Sequence, residues 1–228
     1  MQLTRLAVLA TLLIEPAAPY PFAVGETLRY DARVGPLQAG TATARIARTA
    51  SERGRPVFVI TMTGTGGPPG LRGDYQMTSW VGIDRFTSRR FHRRVSVAGR
   101  VDDRRFEIVP DSLRYREEGA RQAWVSPAAP LDELAMLYYL RTLPLSVGET
   151  RVLRGYFRNG YNPVTVRVTG RQNVLIGSGA SVGAFAIRVT SAGTASDVWL
   201  SDDARRVPVQ LELPLSFGRA RLVLRAMP

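Results

Sequence analysis

Apolar and polar residues alternate in short runs along most of the chain, and glycine, proline or aspartate separates one run from the next. The segment 27–34 is typical, because it alternates until it reaches Gly35 and Pro36. Alternation with a period of two places the apolar side chains on one face of a β-strand. The sequence therefore predicts a mainly β, antiparallel chain of more than ten short strands, near 27–34, 40–48, 56–63, 75–81, 88–97, 104–109, 113–116, 121–125, 149–157, 163–170, 184–191, 195–200, 207–213 and 216–224.

One segment has the period of a helix. Apolar residues recur at helical spacing over 131–142, Pro130 precedes the segment, and Asp132 and Glu133 occupy its first turn. Acidic residues near the start of a helix and a cation such as Arg141 near its end interact favourably with the helix dipole. We predict one substantial helix, whose wide apolar face packs against the open side or the end of the sheet.

A turn rich in charge lies between the strands predicted at 195–200 and 207–213. It contains Asp202, Asp203, Arg205 and Arg206. Aspartate side chains accept hydrogen bonds from backbone amides in turns. The alternative, a catalytic pair of carboxylates, needs two acids held apart across a cleft, whereas adjacent residues of a strand point to opposite faces. We interpret the four residues as a structural turn with ion pairs.

The first 18 residues have the features of an export signal. Arg5 lies in a short basic segment, an apolar run covers 6–14, and small residues follow it. The run is well short of the roughly 20 residues that a membrane-spanning helix needs. We predict a signal peptide at 1–18, with a buried N-terminal strand or helix as the alternative, and a single antiparallel β domain at 19–228. No second run approaches spanning length, which predicts a periplasmic or otherwise exported protein, soluble after signal removal.

The composition predicts a globular domain with a strongly basic surface. Of the 228 residues 45% are apolar and 22% are charged, the formal net charge is +12, and all 31 cationic residues are arginine. The segment 85–105 is especially rich in arginine, and its phenylalanines make it similar to nucleic-acid-binding segments. Export argues against that class of partner. We predict a solvated sheet face or a contact with an anionic envelope surface, and no nucleic-acid partner.

The sequence offers little of the chemistry that catalysis uses. His92 is the only histidine, and the chain contains no cysteine. A catalytic triad or a zinc site normally needs one or both of these residue types. The arginines around His92 also disfavour its protonation and a bound metal. We predict no catalytic residue, no metal site and no cofactor.

Large aromatic residues are the remaining candidates for a binding site. Aromatic side chains often line the mouths of barrels that bind small molecules, although they also pack in cores. On this basis the candidate ligand-binding residues are Trp80, Trp124, Tyr138, Tyr139 and Trp199.

Four separated blocks of the chain resemble a family of exported bacterial proteins called domain of unknown function 3108. The resemblance lies in Pro21-Phe22, Val24-Gly25-Glu26, Leu28, Tyr30, Gly35-Pro36-Leu37 and Ala39-Gly40, then in residues 137–145 and Val147-Gly148, then in 199–203 with Arg205 to Pro208, and last in Phe217-Gly218. The resemblance implies an open antiparallel barrel or strongly curved sheet with a helix packed against it. It implies no site residues, because the family has no known role.

Three functions stay open at this point. The first is a non-enzymatic exported protein whose curved sheet binds an apolar or amphipathic envelope ligand, such as a lipid. The second is an envelope assembly or scaffolding factor that acts through a sheet edge or through the arginine-rich face. The third is a hydrolase, which the scarcity of catalytic side chains disfavours.

Overall fold

The computed structural model describes residues 20–67, 72–215 and 218–228. The predicted signal peptide at 1–18 lies outside these residues. The described strands form one antiparallel sheet, with the bounds β1 Thr27–Val34, β2 Leu37–Glu52, β3 Arg55–Gly66, β4 Gly73–Gly82, β5 Ser88–Val97, β6 Arg100–Val109, β7 Arg114–Glu117, β8 Trp124–Val125, β9 Thr150–Leu153, β10 Val164–Leu175, β11 Ser181–Ser191, β12 Thr194–Ser201, β13 Pro208–Leu215 and β14 Gly218–Leu224. This confirms the predicted mainly β, antiparallel class.

The order of the strands makes an open sheet. Strands β1 to β8 follow one another as a meander, and so do β9 to β14. The two meanders join where β1 pairs with β14, with Tyr30 opposite Leu224. The edges of the sheet are therefore β8 and β9, and no pairing joins them within the described residues.

A single described α-helix, α1 (Glu133–Leu140), lies on the inner face of the curved sheet, and 3₁₀ turns occur at Pro110–Ser112 and Asn159–Tyr161. It is shorter than the predicted 131–142 because Asp132 has an extended backbone and caps the first turn. At the other end, the amides of Thr142 and Leu143 donate to carbonyls three residues earlier. These are hydrogen bonds of the tighter 3₁₀ type, and the α-helix ends there. Buried residues of α1 point to several sides of the helix, namely Leu134, Ala135, Met136, Tyr138 and Leu140.

The segment just before α1 bridges the two halves of the sheet. The amide of Ser88, the first residue of β5, donates to Pro130 O at 2.7 Å. On the other side, the amide of Leu131 donates to Gly155 O at 2.6 Å, and the amide of Phe157 donates to Leu131 O at 3.0 Å. The helix is thereby fixed to β5 and to the segment that follows β9.

Candidate functional site

The two ends of the curved sheet are built differently. One end, which we call the closed end, contains residues 20–26 and the turns 53–54 and 202–207. The opposite end, the open end, contains the turns 35–36, 98–99 and 192–193. The N-terminal segment crosses the closed end, where the amide of Gly25 donates to Ile46 O at 2.9 Å.

A buried arginine joins three parts of the chain at the closed end. Arg141, the C-cap of α1, has a fully buried side chain, and its Nη1 and Nη2 donate to the two carboxylate oxygens of Glu26 at 2.6 and 2.8 Å. Its Nη2 also donates to Pro21 O and Arg205 O, at 3.2 and 3.1 Å. Bidentate pairing of this kind fixes the relative orientation of the two side chains and strengthens the interaction between them.

Aromatic rings complete the closed end. The rings of Phe22 and Tyr138 pack edge to face at 5.1 Å, and Tyr20 packs against Phe58 at 5.7 Å. The hydroxyl of Tyr20 donates to Ile83 O at 2.8 Å. Together with the Arg141 cluster, these rings fill the interior at this end.

Side chains on the inner face become smaller towards the open end. On β1, the buried Tyr30 is followed on the same face by Ala32. On β3, the buried Ile60 is followed on the same face by Met62 and then by Gly64. The same reduction occurs on two other strands, at Ile46 and Ala42 of β2 and at Leu224 and Ala220 of β14. The same strands therefore fill the closed end and leave space at the open end.

A cavity of about 540 Å³ occupies the open end beside α1. This volume lies within the roughly 300–1,000 Å³ that is usual for small-molecule sites. The walls are largely apolar, and helix and sheet both contribute to them, through Leu134, Met136, Leu137, Leu140, Val198 and Leu211.

A smaller apolar space adjoins this cavity. It measures about 140 Å³, and we call it the small-residue compartment because Ala32, Ala42, Gly64 and Ala220 line it. The two spaces share the side chains of Met62, Tyr75, Met77 and Leu213 along their boundary.

One corner of the main cavity is polar and is formed by Glu133, Tyr156, Arg158 and Tyr161. The guanidinium of Arg158 lies 4.6 Å from the ring of Tyr161, and its Nη2 lies 3.8 Å from Oε1 of Glu133. Nη2 also donates to the Tyr156 hydroxyl at 3.4 Å. Nε of Arg158 and Oε2 of Glu133 are buried and have no hydrogen-bond partner among the described residues.

The surroundings of Arg158 in this corner keep its guanidinium charged. Burial alone lowers the pKa of Arg158, but the hydrogen bond to Tyr156 and the nearby Glu133 carboxylate outweigh it, and the net shift is upward. Burial raises the pKa of the Tyr156 hydroxyl well above its usual value, so this group stays neutral. The corner thus offers a cation, a carboxylate and a neutral hydroxyl beside apolar walls.

Many arginines of the sheet already have carboxylate partners. At the cavity wall, Arg93 donates to Asp102 at 2.5 Å. Further pairs join neighbouring strands of β5, β6 and β7, among them Arg94 with Asp103, Arg105 with Glu118 and Arg116 with Glu107. Much of the positive charge in this region is therefore balanced locally.

The five aromatic candidates lie outside the cavity lining. Trp80 lies on β4 with the guanidinium of Arg90 at 4.9 Å over its ring, and Trp124 stacks on Tyr115 in the edge strand β8. Trp199 is partly buried on β12. The remaining two, Tyr138 and Tyr139, pack against the aromatic rings of the closed end. The structure does not bring the five together.

The charged turn has the geometry of a hairpin with ion pairs. Asp203 accepts hydrogen bonds from the Ser201 hydroxyl and from the amides of Arg205 and Arg206. Its carboxylate also pairs with the Arg205 guanidinium at 3.3 Å, and Asp202 pairs with Arg206 at 3.6 Å. These residues shape the closed end and do not contact the cavity.

Other side chains that could take part in catalysis or metal binding have structural roles. Among the residues the structure describes, no group of three or more His, Asp or Glu residues could hold a metal ion. Nε2 of His92 donates to Oδ1 of Asp103 at 2.8 Å. Residues 179–183 match Gly-x-Ser-x-Gly, but Ser181 begins β11 in a β-hairpin, whereas a nucleophile elbow joins a strand to a helix.

Sequence reasoning missed the polar corner. Arg158 and Tyr161 lie in the short segment between β9 and β10, and Glu133 was identified only as a first-turn residue of the helix. The available signal was the run 156–161, in which an arginine is surrounded by tyrosine and phenylalanine. The loss of side-chain size along β1, β2, β3 and β14 was also visible, but only once the direction of each strand is known.

Comparison with known proteins identifies a fold and a family. No helix in the described ranges is long and apolar enough to cross a membrane. Among solved structures, the chain resembles the β-barrel-like protein of domain of unknown function DUF1849 from Brucella abortus, with a TM-score of 0.54, 11% identity, and coverage of 87% of this chain and 94% of that one. No curated protein matches in sequence. The family model described as protein of unknown function (DUF3108) matches residues 29–225, and the chain therefore belongs to that family.

Proposed function

We propose that the protein is an exported, non-enzymatic binding protein, which holds an apolar or amphipathic ligand of the cell envelope in the cavity at the open end. The observation that carries the proposal is a cavity of about 540 Å³ with largely apolar walls and a charged, polar corner. Pockets that bind small molecules combine these two features, because apolar walls supply affinity and a few polar groups fix orientation.

The gradient in side-chain size supports the same function. A well-packed interior is the more stable arrangement, since each unfilled space forgoes contacts that neighbouring atoms would make. Larger residues fill the closed end of these strands, at Tyr30 and Ile60, whereas Ala32 and Gly64 leave the open end unfilled. A ligand that occupies the space would restore those contacts.

The chemistry of the polar corner favours binding over catalysis. Glu133 and Arg158 lie 3.8 Å apart, and each lowers the reactivity of the other by charge pairing. Burial raises the pKa of the Tyr156 hydroxyl and keeps this group neutral near pH 7. These groups are suited to orienting a polar head, and the proposal therefore assigns the protein no reaction.

A large side chain at Ser196 is expected to weaken ligand binding. Ser196 lies on β12, is half-buried and lines the cavity. In Ser196→Phe the ring would occupy the cavity, and we expect binding of the neutral fluorescent probe N-phenyl-1-naphthylamine to weaken at least about tenfold. Fluorescence titration of the purified protein measures the change.

The matched control is Ala195→Phe, at the adjacent, outward-facing position of the same strand. Its probe affinity should equal that of the unmodified protein. Mass spectrometry of lipid extracts from the purified protein provides a second readout, in which a bound amphiphile is expected. If the folded protein neither binds the probe nor retains any amphiphile, the proposed function is wrong.

One observation favours a scaffolding role as the second candidate. The edge strands expose large apolar side chains, with Val125 of β8 64% and Val152 of β9 60% exposed. Exposed edge strands are sites at which another chain can add a strand. A protein partner recovered by crosslinking, together with an absence of ligand uptake, would support this alternative over the first.

A further inference from the structure

We infer that the ligand is a single-chain amphiphile, whose tail ends in the small-residue compartment and whose head carries both a hydrogen-bond acceptor and a donor but no net charge. This inference rests on the proposed function and specifies the ligand class and its orientation. Two independent features of the cavity support it.

The first feature is the size and position of the small-residue compartment. Its volume is about 140 Å³, similar to the roughly 150 Å³ of an apolar cavity that accommodates one benzene ring. Such a space accepts the end of one alkyl chain, and not two. Because it is lined by Ala32, Ala42, Gly64 and Ala220, the identities of these residues set the length of chain that fits.

The second feature is the pair of unsatisfied groups in the polar corner. Nε of Arg158 is a buried donor and Oε2 of Glu133 a buried acceptor, and both lack partners among the described residues. Buried polar atoms without partners are rare, because each one costs free energy. Both side chains line the cavity, so a head that accepts from Arg158 and donates to Glu133 would pair with these atoms once the two side chains turn towards it.

The charges around the corner disfavour an anionic head. Glu133 balances Arg158, and Asp102 balances Arg93 at the same cavity wall. A carboxylate ligand would gain Arg158 but would face the Glu133 carboxylate at close range, and like charges repel. A glycerol hydroxyl head and a zwitterionic head both meet the requirement, and competition by one lipid of each kind separates them.

The corner and the compartment lie on opposite sides of the interior. Arg158 lies next to β10, whereas Ala220 belongs to β14, and β11, β12 and β13 separate these strands in the sheet. The two spaces meet along Met77 and Leu213. An extended chain can therefore run from the corner, past α1, into the compartment.

The chain-length part is tested with Ala220→Leu. Monoacylglycerols of increasing chain length displace N-phenyl-1-naphthylamine from the purified protein, and the chain length that displaces best marks the fit. Each buried methylene contributes roughly fourfold to affinity. We expect Ala220→Leu to weaken displacement by the longest chains about tenfold or more, to leave shorter chains within about twofold, and so to shift the optimum downward.

The control for chain length is Ala195→Leu, on the outer face of β12 at the same end of the sheet. It should keep the optimum of the unmodified protein, and thermal unfolding of both variants verifies that each is folded. If the probe binds but Ala220→Leu leaves the optimum unchanged, the inference fails while the proposed function stands. If the folded protein does not bind the probe, both fail.

The head part is tested at one chain length and at pH 8, with a monoacylglycerol, a lysophosphatidylethanolamine and a fatty acid. We expect either of the first two to displace the probe at lower concentration than the fatty acid, and the better one identifies the source of the head. Glu133→Gln removes the repelling charge, and we expect it to improve displacement by the fatty acid about tenfold. A fatty acid that is the best ligand of the unmodified protein would overturn this assignment.

Discussion

Replacing Arg141 with methionine is expected to lower the free energy of unfolding by about 3–5 kcal/mol, the usual cost of removing one partner of a buried ion pair. The side chain of Arg141 is fully buried, and that of Glu26 is 11% exposed. After the substitution the Glu26 carboxylate loses two donors, and the carbonyls of Pro21 and Arg205 lose theirs. Urea unfolding followed by tryptophan fluorescence measures the loss.

Two further variants separate the loss of the buried Arg141–Glu26 pair from a general effect of removing an arginine. Arg116→Met removes an exposed pair with Glu107 and is expected to cost less than about 1 kcal/mol. The double variant Arg141→Met with Glu26→Leu should recover part of the loss, because it leaves no unpaired carboxylate. Equal costs at Arg141 and Arg116 would contradict the structural role of the buried pair.

Most of the sheet could be predicted because its signal is local. The segment 27–34 alternates clearly, and the predicted bounds 27–34 and 88–97 are those of the strands β1 and β5. The openness of the sheet depends instead on contacts between distant residues, such as the pairing of Tyr30 with Leu224. A local pattern does not contain such pairings, and the curved shape entered only through the family resemblance.

The candidate site was harder to predict because the size and polarity of a side chain do not reveal to which face of the sheet it points. Trp80 and Met77 lie on β4 three positions apart, so they face opposite sides of the sheet. The sequence favoured the tryptophan because it is large and aromatic, whereas Met77 is the residue that lines the cavity. Small residues such as Ala220 carry no local signal at all, although they define the compartment.

The sequence placed Asp132 at the start of the helix but did not reveal which groups its side chain contacts. Asp132 was expected to act through the helix dipole, but it is fully buried and caps α1 directly. Its Oδ1 accepts from the amides of Leu134 and Ala135, each at 3.0 Å. Its Oδ2 accepts from the hydroxyls of Ser79 and Ser88, at 2.5 and 2.7 Å. These serines come from β4 and β5, far away in sequence.

Asp132 is expected to make the protein less stable as the pH rises from about 4 to about 7. Burial raises the pKa of this carboxyl from 3.8 to about 7, and the hydrogen bonds from Ala135, Ser79 and Ser88 only partly oppose it. Between these values the folded protein holds a proton that the unfolded chain releases. The contribution is therefore fully present below pH 4 and is lost through pH 7, by up to about 4 kcal/mol.

The variant Asp132→Asn isolates this contribution from all other titrating groups. Asparagine keeps an acceptor for the helix amides and carries no charge. Relative to the unmodified protein, its unfolding free energy should rise by up to about 4 kcal/mol between pH 4 and pH 8, measured by urea unfolding at each pH. Asp203→Asn is the control: burial raises the pKa of Asp203, but Ser201 and Arg205 outweigh it and hold the value below 3.8. The stability that Asp203 contributes is lost only below pH 3.8, so Asp203→Asn should show no trend between pH 4 and pH 8. A difference that is also flat for Asp132→Asn would contradict the raised pKa of Asp132.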